Sequence, residues 1–188
     1  QNWDNLRAER AVSTSDLPQR LVMTVSYELP FARSGHPVYR AALGGWQVNT
    51  LVTIQSGNVI TVSAPAPAFG GSRPNEVGDP TLPNPNIDRW LNRDAFAIVA
   101  PFTLGNGPRN LPRTRTDGLQ NIDFSLFKNF AVRERCRLQL RGEFFNLTNT
   151  PTFGNPGTNI GAGNFGVVRS LATNTRARDI LLALYLYF

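Results

Sequence analysis

Few residues in this chain of 188 residues are of a type and spacing that could perform chemistry. The segment "GAGNFG" (161–166) matches the dinucleotide fingerprint G-x-G-x-x-G, and Asp179 lies near the expected ribose-binding acid. A dinucleotide site also needs a strand before the glycines and an amphipathic helix after them, and the flanking residues predict neither. The segment is therefore interpreted as a glycine-rich connection.

The single cysteine and the single histidine limit the remaining chemistry. Cys136 alone excludes an internal disulfide, and His36 alone removes most metal and catalytic-triad sites. We interpret Cys136 as a small apolar strand residue, and His36, in the turn-like "RSGHPV", as a surface histidine. Two carboxylate pairs lack a neighbouring base or nucleophile: Asp117 with Asp123, and Glu134 with Glu143. We therefore expect no enzymatic activity, no metal site and no cofactor.

The charge and composition bound the class of protein. Nineteen Lys and Arg against 13 Asp and Glu give a net charge of +6, but the basic residues form no block or helical stripe, so nucleic-acid binding is not expected. The 16 Gly and 14 Pro lie mostly between runs of alternating hydrophobicity. This pattern predicts an all-β protein with long connections. No segment reaches the ~18 apolar residues that a membrane-spanning helix needs.

Five segments alternate between two side-chain parities, as β-strands do: 20–31, 45–57, 121–130, 136–147 and 180–188. The segment 165–171 is a weaker sixth candidate. In "CRLQLRGEFFNL", one parity is apolar and the other is polar. The apolar residues are Cys136, Leu138, Leu140, Gly142 and Phe144, and the polar ones include Arg137, Gln139, Arg141 and Glu143. In the last segment, one parity is entirely apolar: Ile180, Leu182, Leu184, Leu186 and Phe188.

The alternation fits two environments. In a soluble sandwich the charged face meets solvent, whereas in a membrane barrel the apolar face meets lipid and the charged face lines a wet lumen. Aromatic residues near strand ends, such as Trp46 and Phe130, are typical of interfacial girdles. The Pro-rich and Gly-rich insertion at 64–118 is long for a compact soluble domain. Within it, "IDRWLNRDAF" predicts a short helix or turn that packs Trp90 and Phe96 inward.

Several segments together resemble a known family. They are "GGWQVNTLVTIQSGNVITV", "RPNEVGDP", "DRWLNRDAF", "GNGPRN", "GLQNIDFSLFKNF", "LQLRGEFFNLTNTPTFGNP" and "DILLALYLYF". In this order they resemble the C-terminal barrel segment of TonB-dependent outer-membrane receptors, especially the Oar-like subgroup, over nearly the whole chain. Residues 1–188 are then expected to be the C-terminal part of the barrel domain. The fold expected is an antiparallel meander of about six long strands, an open part of a transmembrane barrel.

The resemblance implies a function and a set of partners. The family moves nutrients across the outer membrane of Gram-negative bacteria with energy delivered by the TonB system. The implied partners are outer-membrane lipid, the remainder of the barrel and its plug domain, the TonB system and the barrel-assembly machinery. No signal peptide is expected in this chain, because "QNWDNLRAER" lacks an apolar core. The plug domain of the family is also expected to be absent from it.

The resemblance also suggests roles for residues. In the barrel interpretation, Arg137, Gln139, Arg141 and Glu143 line the lumen. By resemblance, the signal read during barrel assembly comprises Leu182, Leu184, Leu186, Tyr187 and Phe188. The segment "FFNLTN" resembles a family turn near the periplasmic side, which predicts that a strand at 165–171 runs outward. This prediction does not decide on which side of the membrane the insertion 64–118 lies.

One alternative remains from the residues alone. A soluble β-sandwich adhesion or carbohydrate-binding module would use Phe69, Trp90 and Phe102 as stacking platforms. The two hypotheses differ at the apolar parity, because a sandwich would bury Leu140 and Leu184 against each other. A barrel segment would leave both exposed.

Overall fold

The computed structural model describes residues 2–31, 36–65, 73–133, 136–173 and 175–188. The chain divides into two compact units. The sheet unit comprises Arg20–Gln55, Leu119–Pro151 and Arg176–Phe188. The loop unit comprises Gln1–Gln19, Ser56–Gly118 and Thr152–Thr175.

The long strands all belong to the sheet unit. They are β1 (Arg20–Glu28), β2 (Trp46–Gln55), β5 (Leu119–Arg133), β6 (Cys136–Phe145) and β7 (Asp179–Tyr187), and they form an antiparallel sheet in the order β1-β2-β5-β6-β7. The helix α1 (Pro37–Leu43) follows β1 and precedes β2 in the sequence. In the loop unit, the two-residue strands β3 (Asn75–Glu76) and β4 (Phe96–Ala97) pair, and a 3-10 turn spans Arg93–Ala95. The predicted all-β antiparallel meander, open at its edges, is confirmed.

The strand register decides which side chains share a face. Leu140 lies opposite Leu184 on β7 and opposite Lys128 on β5, and Lys128 lies opposite Trp46 on β2. On β1, Tyr27 lies opposite Val48 of β2, which shares the parity of Trp46. Because directly opposed residues of antiparallel strands point to the same side, these pairings combine the apolar parities of all five strands into one apolar face. Its large apolar members include Leu21, Met23, Val25, Val48, Val52, Ile122, Phe124, Leu126, Leu138, Leu140, Ile180, Leu182, Leu184 and Leu186. The opposite parities form the polar face.

The apolar face is uncovered. Leu140, Leu182 and Leu184 are 42%, 74% and 64% exposed, although Leu140 and Leu184 are direct partners in the register. All of the fully buried hydrophobic side chains of the described residues belong to the loop unit instead. The burial that a soluble sandwich requires at Leu140 and Leu184 is therefore not found.

The sixth candidate strand does not form. Within 165–171, only Phe165 and Leu171 make isolated bridges, to Gly157 and Phe153, and the segment belongs to the loop unit. The predicted outward strand after "FFNLTN" is therefore wrong, and β6 and β7 are direct neighbours. As a result, the connections 56–118 and 146–178 both join strands at the end of the sheet opposite to the end at which β7 finishes.

The segment "FFNLTN" is a hydrogen-bonded turn centred on Asn146. This buried residue has φ of 50°, a left-handed conformation that asparagine tolerates better than most residues. Its backbone N–H donates to Asp123 Oδ1 at 2.9 Å, and its Nδ2 donates to the carbonyls of Thr150 at 3.2 Å and Arg176 at 2.9 Å. Asn146 Oδ1 accepts from Thr150 N at 3.0 Å. The asparagine thus ties β5 and the end of β6 to the start of the segment that leads into β7.

The loop unit has a hydrophobic core of its own. The core residues are Ile60, Val62, Ala64, Leu91, Leu111, Ile160 and Phe165. Trp90 and Phe96 pack against it, which confirms their predicted inward orientation. Trp90 N donates to Gly166 O at 2.7 Å, and Gly166, at φ of 72°, donates its N–H to Gly157 O at 2.8 Å. The "GAGNFG" segment is thus part of a packed loop structure, as its interpretation as a connection requires.

Asn146→Ala should destabilise the protein by about 2–4 kcal/mol, because it leaves three backbone groups of Thr150 and Arg176 without this partner and places alanine in a strained conformation. Thr148→Ala is the matched control: Thr148 is exposed, and its hydroxyl only accepts from Thr150 Oγ1. It should cost less than about 1 kcal/mol. Urea unfolding of the full-length protein in detergent micelles measures both. Equal midpoints for the two variants would contradict the role of Asn146.

Candidate functional site: the polar face of the sheet

The predicted lumen-lining residues lie on the polar face of β6. The register sets Arg137 opposite Tyr187, Gln139 opposite Tyr185 and Asn129, and Arg141 opposite Phe127 and Ala183. Three of the four candidates, Arg137, Gln139 and Arg141, therefore meet the same group of polar and aromatic side chains. Glu143, opposite Ser125 and Leu181, lies outside this group.

Arg141 is held between two aromatic rings. Its guanidinium carbon lies 4.7 Å from the ring centroid of Phe127 on β5 and 4.4 Å from that of Tyr185 on β7. A guanidinium within about 6 Å of a ring face is attracted by the ring quadrupole, and the two rings also restrict its rotation. The arginine is thereby ordered across three strands.

Gln139 connects the members of the cluster and is 7% exposed. Its Nε2 donates to Asn129 Oδ1 at 2.7 Å, and its Oε1 accepts from Arg141 Nε at 2.5 Å. Tyr187 Oη lies 3.5 Å from the same Oε1 and accepts from an Nη of Arg141 at 3.2 Å. The amide therefore fixes the orientation of the guanidinium from one side.

Arg137 completes the cluster at the end of β7. Its guanidinium carbon lies 4.8 Å from the ring centroid of Tyr187, and Tyr185 and Tyr187 stack with centroids 6.4 Å apart. Within the part of the chain that the structure describes, no carboxylate lies within 4 Å of Arg137 or Arg141. The two guanidinium groups thus lie on the polar face with aromatic rather than acidic neighbours. Their solvent-facing N–H groups can bind water or an anionic group.

The residues of the predicted assembly signal divide between the two faces. Leu182, Leu184 and Leu186 are exposed on the apolar face, and Phe188, beyond the end of β7, is fully exposed. Tyr187 instead belongs to the polar cluster through its contacts with Arg137 and Arg141. The sequence predicted neither this role nor those of Phe127 and Tyr185, because cross-strand neighbours follow from the register.

A second polar cluster on β1 and β2 was also not predicted. Ser26 Oγ donates to Asn49 Oδ1 at 2.7 Å, and Gln47 Nε2 donates to Ser26 Oγ at 3.0 Å and to Asn49 Oδ1 at 2.9 Å. Asn49 Nδ2 is buried without a hydrogen-bond partner. The alternation of Ser, Gln and Asn along these strands was the available signal.

The loop unit carries its own charged contacts. Arg115 binds Asp16 through a 2.5 Å ion pair, and Arg73 pairs with Glu9. Hydrogen bonds from the backbone N–H and hydroxyl of Thr81, at 2.9 and 2.8 Å, lower the pKa of Asp79 from its ordinary value. Partial burial, and then Asp79, raise the pKa of Glu76.

Other predicted residues have no part in a common site. Cys136 is half-buried and unpaired, and His36 is exposed and caps α1 by accepting from Val38 N at 3.4 Å. Phe69 and Glu134 lie outside the described residues. Across the described ranges, no three His, Cys, Asp or Glu side chains are grouped to hold a metal ion. None of the helices described there is long and apolar enough to cross a membrane.

A sheet with one exposed apolar face and one polar face lined by ordered arginine and glutamine has the two sides of a barrel wall in a membrane. The sequence matches the family described as "Outer membrane beta barrel domain" over residues 1–180, and the chain belongs to this family. The family points to an outer-membrane location. Comparison with curated proteins and with solved structures found no match.

Arg141→Met should destabilise the full-length protein by about 1–3 kcal/mol, because it removes two cation–π contacts and the hydrogen bonds to Gln139 and Tyr187. Arg137→Met, which loses one ring contact at an exposed position, should cost less than about 1 kcal/mol. Urea unfolding in micelles compares the two variants. Equal costs would show that the contacts of Arg141 with the two rings and Gln139 add no stability.

Proposed function

We propose that this chain is the C-terminal barrel portion of a TonB-dependent outer-membrane receptor, of the Oar-like type, that takes up a nutrient across the outer membrane. The observation that carries the proposal is the register, which places the exposed Leu140, Leu182, Leu184 and Leu186 on one face and a cluster of arginine, glutamine and tyrosine on the other. A soluble protein would cover the leucines. The ordered resemblance of seven segments to this receptor class supports the finer assignment.

The proposed orientation follows from the lengths of the connections. Outer-membrane barrels have short periplasmic turns and longer extracellular loops. The residues 56–118 and 146–178 connect strands at one end of the sheet. The connections at the other end are shorter: residues 29–45, with α1, join β1 to β2, and residues 134 and 135 join β5 to β6. We assign the first end to the cell exterior. The end of β7, with Tyr187 and Phe188, then faces the periplasm, where the assembly signal would be read.

In this assignment Arg137 and Arg141 face the lumen near its periplasmic end. Their open donors would contact water, the plug domain or a passing substrate. The aromatic partners Phe127, Tyr185 and Tyr187 hold these cations without neutralising them. A lumen wall built in this way keeps a positive potential on its surface while its side chains stay ordered.

The two-faced wall predicts alternating lipid contact in the full-length protein. In a Cys136→Ser background, spin labels at Leu140 and Leu184 should be accessible to oxygen in the bilayer. Labels at the polar-face controls Thr24 and Ser125 should be accessible to a water-soluble nickel chelate. Power-saturation EPR in reconstituted vesicles measures both. Equal oxygen accessibility at the two sets of positions would refute the barrel assignment.

The TonB-dependent part of the proposal has a separate test. The full-length protein should bind the purified periplasmic domain of TonB from the same organism, with a dissociation constant on the order of micromolar, in isothermal titration calorimetry. A variant lacking the segment before the plug domain is the control and should not bind. Absence of binding by the full-length protein would remove the energised-transport assignment and leave the barrel assignment standing.

A further inference from the structure

An open cleft of about 520 Å³ lies in the sheet unit beside α1, at the end of the sheet where β1 stops and β2 begins. Its lining comes from both faces of the sheet. Trp46 and Phe130 belong to the apolar face, and Glu28 and Asn129 belong to the polar face. The cleft therefore lies at the rim, where an apolar and a polar environment meet.

The apolar face holds α1 in place at this rim. Lys128, 2% exposed, donates from Nζ to Ala42 O at 3.1 Å and also to Gly44 O, between the rings of Trp46 at 5.2 Å and Phe130 at 5.1 Å. Trp46 Nε1 donates to Ala42 O at 3.2 Å. The cation and the indole thus satisfy carbonyls at the end of α1 that the helix itself cannot.

Gly45 makes this close approach possible. Its φ is 71°, and a Cβ built on it would lie 2.5 Å from the backbone oxygen of Asn129. Only glycine fits there. The chain can therefore turn directly from α1 into β2 beside β5, which keeps α1 on the same side of the sheet as Lys128 and Trp46.

The outer surface of α1 is apolar and uncovered. Val38, Tyr39 and Leu43 are 66%, 65% and 53% exposed, and Phe31, which also lines the cleft, is 55% exposed. The end of α1 is bound by Lys128 and Trp46 of the exposed apolar face, which in this family contacts the membrane. A short helix with exposed apolar residues, placed at the rim of that face, has the composition of a segment lying in the membrane interface.

Among the described residues that line the cleft, two are charged, one with each sign. Arg40 and Glu28 both line it, and among the described residues neither forms an ion pair. A free anion would be repelled by the carboxylate, and a free cation by the guanidinium. A zwitterionic headgroup, with a phosphate and an ammonium a few bonds apart, complements both charges.

We propose that α1 lies in the membrane interface and that the cleft beside it binds the headgroup of a zwitterionic phospholipid of the phosphatidylethanolamine type. Arg40 contacts the phosphate and Glu28 the ammonium. The acyl chains leave along Phe31, Trp46 and the apolar face. A water-soluble ligand would not account for the exposed Val38, Tyr39 and Leu43 on the adjoining helix.

Depth measurements test the position of α1 in the full-length protein, in the Cys136→Ser background and in vesicles of phosphatidylethanolamine and phosphatidylglycerol. Spin labels at Val38 and Leu43 should show an oxygen-to-nickel accessibility ratio between those of Leu184 and Ser125. A ratio equal to that of Ser125 would place α1 in water and overturn the proposal.

Lipid retention tests the cleft. Native mass spectrometry of the detergent-solubilised protein should show bound phosphatidylethanolamine, and Arg40→Gln or Glu28→Gln should lower its retention about tenfold, as loss of one charge-assisted hydrogen bond implies. Arg20→Gln, at the other end of β1, is the matched control and should retain the lipid. The folded state of each variant is checked by its circular dichroism.

Three outcomes would overturn the headgroup assignment. They are unchanged retention in both cleft variants, equal retention of phosphatidylglycerol and phosphatidylethanolamine by the unsubstituted protein, and displacement of the lipid by soluble phosphoethanolamine at equal concentration. The last outcome would mean that the cleft binds the headgroup without any contribution from the acyl chains. None of these measurements uses TonB or transport, so they succeed or fail separately from the proposed uptake function.

Discussion

The alternation of side chains along antiparallel strands, combined with one continuous register, is the constraint on which this structure depends. A slip of one residue in any strand pair would move an entire set of leucines to the side of the arginines. The pairing of Leu140 with Leu184 and of Arg137 with Tyr187 fixes the register between β6 and β7. The uncovered apolar face, the polar cluster and the side on which α1 lies all follow from it.

The polar face shows how a wall can stay charged and ordered without acidic partners. A carboxylate beside Arg141 would cancel its field, whereas the rings of Phe127 and Tyr185 attract the guanidinium and leave its charge in place. Gln139, a neutral acceptor, supplies the hydrogen bond that an acid would otherwise provide. Lys128 on the apolar face has neighbours of the same kind: carbonyl oxygens accept its hydrogen bonds, and two aromatic rings lie beside its ammonium group.

Much of the sheet could be predicted from the sequence because a period of two is a local signal. The alternation in the segments around Arg20, Trp46, Cys136 and Ile180 predicts strands with two distinct faces, and the structure confirms these strands. The cluster around Arg141 could not be predicted in full, because Phe127 and Tyr185 become its neighbours only when three strands pair. The helix α1 had a signal in "HPVYRAALGG", with an N-cap histidine, a proline at its start and glycines after its end.

The hydrophobic core of the loop unit could not be predicted from the sequence for a related reason. Its core is assembled from residues without a common period, such as Ile60, Leu111 and Phe165, which lie in different parts of the chain. The segment 165–171 resembled a strand because its apolar residues are closely spaced, but two of them, Phe165 and Val168, are buried within loop structure. Apolar spacing alone does not distinguish a strand residue from a residue that anchors a loop.

The segments that form the loop unit are far apart in the sequence, and this separation affects how the unit folds. Asn110 Nδ2 donates to Val12 O across 98 residues, and Arg115 binds Asp16 across 99 residues. Contacts of such high sequence separation form late, because the entropy of closing a long loop must be overcome before they add stability. Ile160 and Phe165 also belong to the core, so the core stays incomplete until residues about 100 positions after Ile60 have joined it. Until the core closes, its apolar residues are exposed in a disordered chain that has to be protected from aggregation.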